Sequence, residues 1–188
     1  MTRIIRSLIA VMLIVTAARA ADTYKLDPAH TTIGFSISHL IISEVNGRFD
    51  DVTGDVTLDK DAVTAAKATI QAKSIDTNIK KRDDHLRSPD FFDVEKFPTI
   101  VFVGEKVEKD GDKTVLTGKF TLHGVTKDIR LPFTAKGPIK DPWGNSRLAL
   151  KAETTINRAD YGMKPFTGVG DEVEIKITAE ATKAEDKK

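Results

Sequence analysis

The chain has 188 residues, 40% of them hydrophobic and 30% charged, with a formal charge of +1 and no cysteine. That length suits one domain with a core of its own, and no disulfide can help to hold the fold. The near-neutral balance excludes the strongly basic surface that nucleic acid demands, so no nucleic-acid partner is expected.

At the start, Arg3 and Arg6 precede an apolar run from Leu8 to Ala18, and Ala18-Arg19-Ala20 places small residues where a signal peptidase cuts. Residues 1–20 are therefore read as a cleaved secretory signal, too short for a comfortable membrane span. No cysteine follows the run, which leaves a lipoprotein anchor without an attachment thiol. The mature chain is expected to be exported, with the periplasm as its expected location. Loss of Arg3, Arg6 and Arg19 leaves 26 basic against 28 acidic residues, a net −2. Such a chain is not built for anionic membrane surfaces as its main partner, although transient membrane contact is compatible with it.

Residues 21–182 then alternate with period two. Ile33, Phe35 and Ile37 face one way, with Gly34, Ser36 and Ser38 opposite. The device returns in Leu116, Phe120 and Leu122, in Val125, Ile129, Leu131 and Phe133, in Leu148, Leu150 and Ile156, and in Val173, Ile175 and Ile177. These are half-buried strands with one wet face. Turn residues separate them at Lys109-Asp110-Gly111-Asp112, His123-Gly124, Asp141-Pro142-Trp143-Gly144 and Gly168-Val169-Gly170. Helix is predicted in one main place, from Asn78 to Arg87, capped by Asp76 or Thr77 and stopped by Pro89. A further short turn is expected over Arg158 to Tyr161. Residues 183–188 read as a polar tail. About eight strands fit an antiparallel barrel with room for one ligand, and a sandwich fits the alternation nearly as well.

Specific residues decide between the two. Leu26-Asp27-Pro28-Ala29-His30 is followed by Phe35 and His39, then Gly47 and Phe49. The charged, aromatic stretch that follows contains Arg82-Asp83, His85-Leu86-Arg87-Ser88, Asp90-Phe91-Phe92, Phe97-Pro98 and Phe102. Later come Gly118, Leu122 and Gly124-Val125-Thr126-Lys127, then Asn157-Arg158 and Asp160-Tyr161-Gly162-Met163, with Tyr where the pattern more often has Phe. This combination resembles the YceI-like family of secreted, lipocalin-type proteins. The resemblance implies an extended all-β antiparallel barrel of about eight strands with a short helical lid. It also implies a long-chain isoprenoid lipid or quinone held in an apolar tunnel.

Carried onto this sequence, the tunnel wall is expected from Ile33, Phe35, Ile37, Phe49, Phe102, Phe120, Leu131, Phe133 and Ile156. The lid is expected from Leu86, Phe91 and Phe92. Arg82, His85 and Arg158 are the expected head-group residues, with the Lys80-Lys81-Arg82 cluster and Arg87 nearby. The alternative is a solvated helix face on which Arg82 is tied to Asp83 or Asp84.

Enzymatic signals are absent from the sequence. His30, His39, His85 and His123 show no metal-ligand spacing. There is no G-x-S-x-G, Ser88 and His85 are merely near in sequence, and Asp83-Asp84 point to different sides of a helix. No catalytic residue, metal site or cofactor is assigned, and the protein is expected not to be an enzyme. Two rivals stay open: an enzyme acting on isoprenoid lipids, and a barrel plugged by its own side chains. Strand edges near the chain ends are compatible with a homodimer.

Overall fold

The computed structural model describes residues 21–184. The expected signal, residues 1–20, and residues 185–188 of the expected tail lie outside the described residues. In chain order the strands begin with β1 (Asp22–Leu26), β2 (Thr32–His39), β3 (Ser43–Phe49), β4 (Val52–Asp59), β5 (Ala62–Gln71) and β6 (Ile75–Asp76). Helix α1 (Lys80–Arg87) interrupts the series before β7 (Thr99–Asp110), β8 (Lys113–Leu122), β9 (Val125–Lys140), β10 (Ser146–Asn157) and β11 (Val169–Lys183). The expected turn at Arg158–Tyr161 is a 3-10 turn, capped by the Asn157 side chain accepting from Ala159 N–H. The last strand runs to Lys183, whose ammonium meets Asp22 at 2.7 Å.

Every strand pair is antiparallel. Eight of the eleven strands close a ring in the order β1-β4-β5-β7-β8-β9-β10-β11 and back to β1. The other three, β2, β3 and β6, continue outward from β11 as a second leaf. The branching lies on one edge of β11. Val169 to Thr178 pairs with β2, while Ala181 to Lys183 pairs with β1. Between them the chain leaves β1 through the 3-10 turn Pro28–His30, where Asp27 N–H donates to Glu180 O at 2.8 Å.

Two apolar clusters fill the inside. The larger gathers Ile33, Phe49, Ile70, Phe102, Phe120 and neighbours beneath the second leaf. The smaller, Tyr24, Val56, Leu58, Leu148 and Ala181, packs the opposite end, each residue no more than 3% exposed. Burial of this kind, rather than any cross-link, holds the barrel. Close approach of strands depends on a facing glycine pair: Gly104 on β7 is the register partner of Gly118 on β8, beside a bulge at Gly104/Lys106. A Cβ on Gly118 would lie 2.2 Å from Val103 O and 2.5 Å from Gly104 Cα, both backbone atoms that cannot swing aside.

The start of α1 differs from expectation. The helix begins at Lys80 with Ile79 in the capping position, and no side chain caps it. Asp76 instead accepts from Asn78 N–H at 2.7 Å in a turn of its own. Thr77 is bound from the other direction, with its N–H and hydroxyl both donating to Asp83 Oδ1 at 2.9 and 2.5 Å. An acid inside the helix thus ties down the chain before it, and it outcompetes the simple cap that the Asp76-Thr77 pair suggested.

Two outcomes follow. Gly118→Ala should force β7 and β8 apart and lower stability by roughly 2 kcal/mol or more, measured by urea unfolding. The second concerns the junction of β1 with β11, where Arg147 Nη1 donates to Asp27 Oδ2 at 2.7 Å and to Glu180 Oε2 at 2.9 Å. Hydrogen bonding from Arg147, then from His30, holds the Asp27 carboxyl below its ordinary pKa. A depressed carboxylate stabilises the fold above its unfolded pKa, and that share is lost as pH falls through and below the ordinary aspartate range of about 4. Arg147→Ala should therefore melt lower at pH 7 and show a smaller drop in melting temperature between pH 7 and pH 3 than the parent chain.

Candidate functional site

Beneath the second leaf lies an apolar cavity of about 590 Å³, within the usual range of small-molecule sites. Its wall follows from the period-two faces. Ile33, Phe35 and Ile37 of β2 face inward, and Ile156 of β10 joins them. Phe49 of β3 stands beside Ile33 on the same leaf, and Leu131, Phe120 and Phe102 complete the wall from β9, β8 and β7. Gly47, register partner of Phe35, leaves the room that the Phe35 ring occupies, since a Cβ there would meet that ring at 2.4 Å. Phe49 then takes Phe35 at 5.8 Å and Phe92 edge-on at 5.7 Å.

Phe133 is an exception to the expected wall. It faces inward on β9 but lies beyond the cavity, opposite Thr114 and Ala152, where it packs against the core and lines a separate, more polar depression. Periodicity gives the face of a residue, not its depth along the barrel.

Over the cavity sit α1 and the turns after it. Leu86, Phe91 and Phe92 point down into it, and Phe91 meets Phe166 at 5.1 Å. The helix is clamped to the chain segment beside it. Arg87 Nε donates to Lys73 O and Nη2 to Ile75 O, each at 2.7 Å. Arg82 Nε donates to Thr77 Oγ1 at 2.7 Å and Nη2 to Thr77 O at 2.8 Å.

The charged lining has one sign. Lys81, Arg82 and Arg158, with His39 and His85, reach the cavity, and no Asp or Glu does. These groups are not equivalent. Arg158 is 3% exposed, and its guanidinium donates to Gly170 O at 2.8 Å, Lys164 O at 2.7 Å and Val169 O at 3.4 Å while pairing with Asp171 at 2.9 Å. Those bonds fold the 164–171 loop around it, so its geometry is that of a loop anchor. His85 Nε2 meets Asp90 at 2.9 Å, and its ring stands edge-on to Phe91 and Phe166 at 5.1 and 5.7 Å. Arg82 is tied to Thr77 rather than to either neighbouring acid. Its Nη1 has no hydrogen-bond partner among the described residues. Lys81, exposed at the rim, forms no ion pair among them either.

Several lining residues escaped the sequence. Val173, Ile175 and Ile177 of β11 were legible as an apolar strand face, but nothing marked them as cavity rather than core. Ile79, Met163 and Phe166 come from turns, where no periodicity points inward. Among the described residues no group of three or more His, Asp or Glu side chains is placed to hold a metal ion.

Releasing the clamp tests its strength. Arg87→Ala removes charge-assisted bonds to two carbonyls, and should cost roughly 1–3 kcal/mol. It should also raise amide hydrogen exchange across residues 77–92 while leaving β8 to β10 protected.

Comparison with known proteins agrees with this architecture. A family model described as YceI-like domain matches residues 24–181. Protein YceI of Salmonella newport is 38% identical over 177 residues, covering 92% of this chain and 93% of its own. The crystal structure of the Campylobacter jejuni YceI protein superposes with a TM-score of 0.70 at 31% identity, covering 77% of this chain and 88% of that one. A polyisoprenoid binding domain from Saccharophagus degradans shares the fold, with a TM-score of 0.67 at 17% identity over 86% of this chain and 98% of its own. The chain belongs to the YceI-like family.

Proposed function

We propose that this protein is a periplasmic carrier that holds a long-chain isoprenoid amphiphile, a polyprenyl phosphate or an isoprenoid quinone, with its tail in the cavity. The observation that carries the reading is the pairing of an apolar wall with lining charges of one sign. Hydrocarbon gains about 0.8 kcal/mol per methylene on leaving water, so one isoprene unit contributes roughly 3 kcal/mol before the cost of ordering it. A greasy wall discriminates poorly between tails. Selectivity then falls to the rim, where Arg82 Nη1, unpartnered among the described residues, and the Lys81 ammonium offer hydrogen-bond donors to a phosphate or a quinone carbonyl. His85, held by Asp90, flanks the same position. Arg158 serves the site by holding its loop.

The Saccharophagus domain of the same fold is described as polyisoprenoid-binding, which supports an isoprenoid over other amphiphiles. The cavity also weighs against the self-plugged barrel, whose interior would be filled by side chains throughout. The protein acts on this reading by sequestration and release, without chemistry on the guest.

Native mass spectrometry of protein purified from the periplasm without detergent tests the proposal directly. A stoichiometric added mass that extracts into solvent as an isoprenoid is the expected result; a protein that is empty and refuses added polyprenyl phosphate and quinone overturns it. Ile37→Trp, which fills the cavity from β2, should abolish retention while circular dichroism and melting show a folded chain.

A further inference from the structure

The hairpin between β2 and β3 ends in Leu40-Ile41-Ile42, and Ile41 and Ile42 are 97% and 86% exposed. Leu40 and Ile41 also hold positive φ, at 51° and 66°, a backbone region that bulky and β-branched residues rarely enter. The other tight turns of the barrel solve the same problem with Lys60-Asp61, Gly111 or His123-Gly124. A turn chosen for folding alone would carry such residues. Here apolar side chains occupy strained positions and face water, which points to a role outside the fold.

The tip adjoins the cavity. Leu40 N–H donates to Gly168 O at 2.7 Å, and Phe166, two residues before, is 43% exposed while lining the cavity beside Phe91. Ile79, 51% exposed, lines the cavity from the start of α1. The exposed apolar residues thus form a rim around the opening, joined by Lys81 and the exposed Lys164. Three neighbouring acids are engaged by cations: Asp84 by Lys80 and Arg87, Asp90 by His85, Asp171 by Arg158. Glu44 behind the tip accepts from the Ser36 hydroxyl, and Glu172 is exposed without an ion pair among the described residues.

We propose that this rim docks on a phospholipid bilayer, with Ile41 and Ile42 inserted among the acyl chains and the cavity mouth set against the lipid surface. The use of that docking for moving a guest rests on the carrier reading above; the docking itself does not. A second copy of the chain is the weaker fit. Three residues at a protruding tip offer far less than the area of roughly 1,200–2,000 Å² that a stable interface buries. A narrow apolar prow with lysines behind it matches the interfacial region of a bilayer, where apolar groups enter and cations stay at the phosphates. The exposed Trp143 stands on the β9–β10 turn at the opposite end of the barrel and takes no part.

That position supplies the control. Trp143 is the sole tryptophan, so its emission reports the far end alone. The experiment uses the mature chain stripped of lipid and vesicles of phosphatidylethanolamine with phosphatidylglycerol. The parent chain is expected to co-sediment with the vesicles without a blue shift of Trp143. The double substitution Ile41→Ser and Ile42→Ser, outside the cavity lining, should weaken that partition by roughly a hundredfold with a melting temperature no lower than the parent's. Equal partition of parent and variant, no partition of the parent, or a blue shift of Trp143 overturns the proposal. So does self-association in ultracentrifugation that the variant abolishes, since a second copy would then cover the tip. Uptake of a polyprenyl phosphate from solution, measured separately, distinguishes the two readings: tip-dependent docking without uptake upholds the docking and removes the carrier, and uptake without docking does the reverse.

Discussion

One edge of β11 is shared by two partners in succession, and the cavity exists because of it. An eight-stranded ring has an interior just wide enough for its own side chains to fill. The half of the ring closed by β1 is filled in that way, by Tyr24, Val56, Leu58, Leu148 and Ala181. Where β2 takes over the edge, the sheet departs into a second leaf that ends at the two-residue β6. The wall there is wider than side chains can fill, and a cavity of about 590 Å³ remains. The turn at Pro28–His30 that moves the chain from one partner to the next is thus the point at which a filled barrel becomes a container.

A leaf that ends on β6 has a strand edge to satisfy, because backbone carbonyls removed from water require donors. The arginines of α1 supply them. Arg87 reaches the carbonyl of Ile75 on β6 and that of Lys73 in the turn before it, and Arg82 that of Thr77 just after it, so guanidinium groups satisfy carbonyls along this segment. This gives the charged stretch a structural purpose beside any role toward a ligand. It also explains why the helix is short, polar and placed at this one gap, with a hydrophobic underside of Leu86 that continues into Phe91 and Phe92.

Much of this was legible from residues alone, and the limits have physical causes. Strand faces were readable because side-chain direction alternates strictly, and so Ile33, Phe35, Ile37 and Ile156 were assignable to one interior. Depth was not readable, because period two is the same at both ends of a barrel, and Phe133 falls beyond the cavity, on a separate depression. About eight strands are countable from alternation and turn residues, but their closure into a ring rests on the family resemblance, since a sandwich fits the same pattern; β6, two residues long, carries no periodic signal at all. Asp76 and Thr77 had the chemistry of a helix cap, yet Asp83 from inside the helix claimed Thr77. Arg158 looked like a ligand for a head group; only the folded loop shows its nitrogens spent on carbonyls that are remote partners in no sequence pattern.

The filled end has a further consequence. None of the five residues of the smaller cluster lines the cavity, so that packed end bounds how deep a linear guest can reach. Depth then acts as a gauge. A chain shorter than the shaft draws its polar end down among apolar walls, where each unsatisfied polar group is penalised, and a longer one leaves methylenes standing in water. Between these two penalties lies a preferred length, set by where packing ends the cavity rather than by any group that recognises the tail.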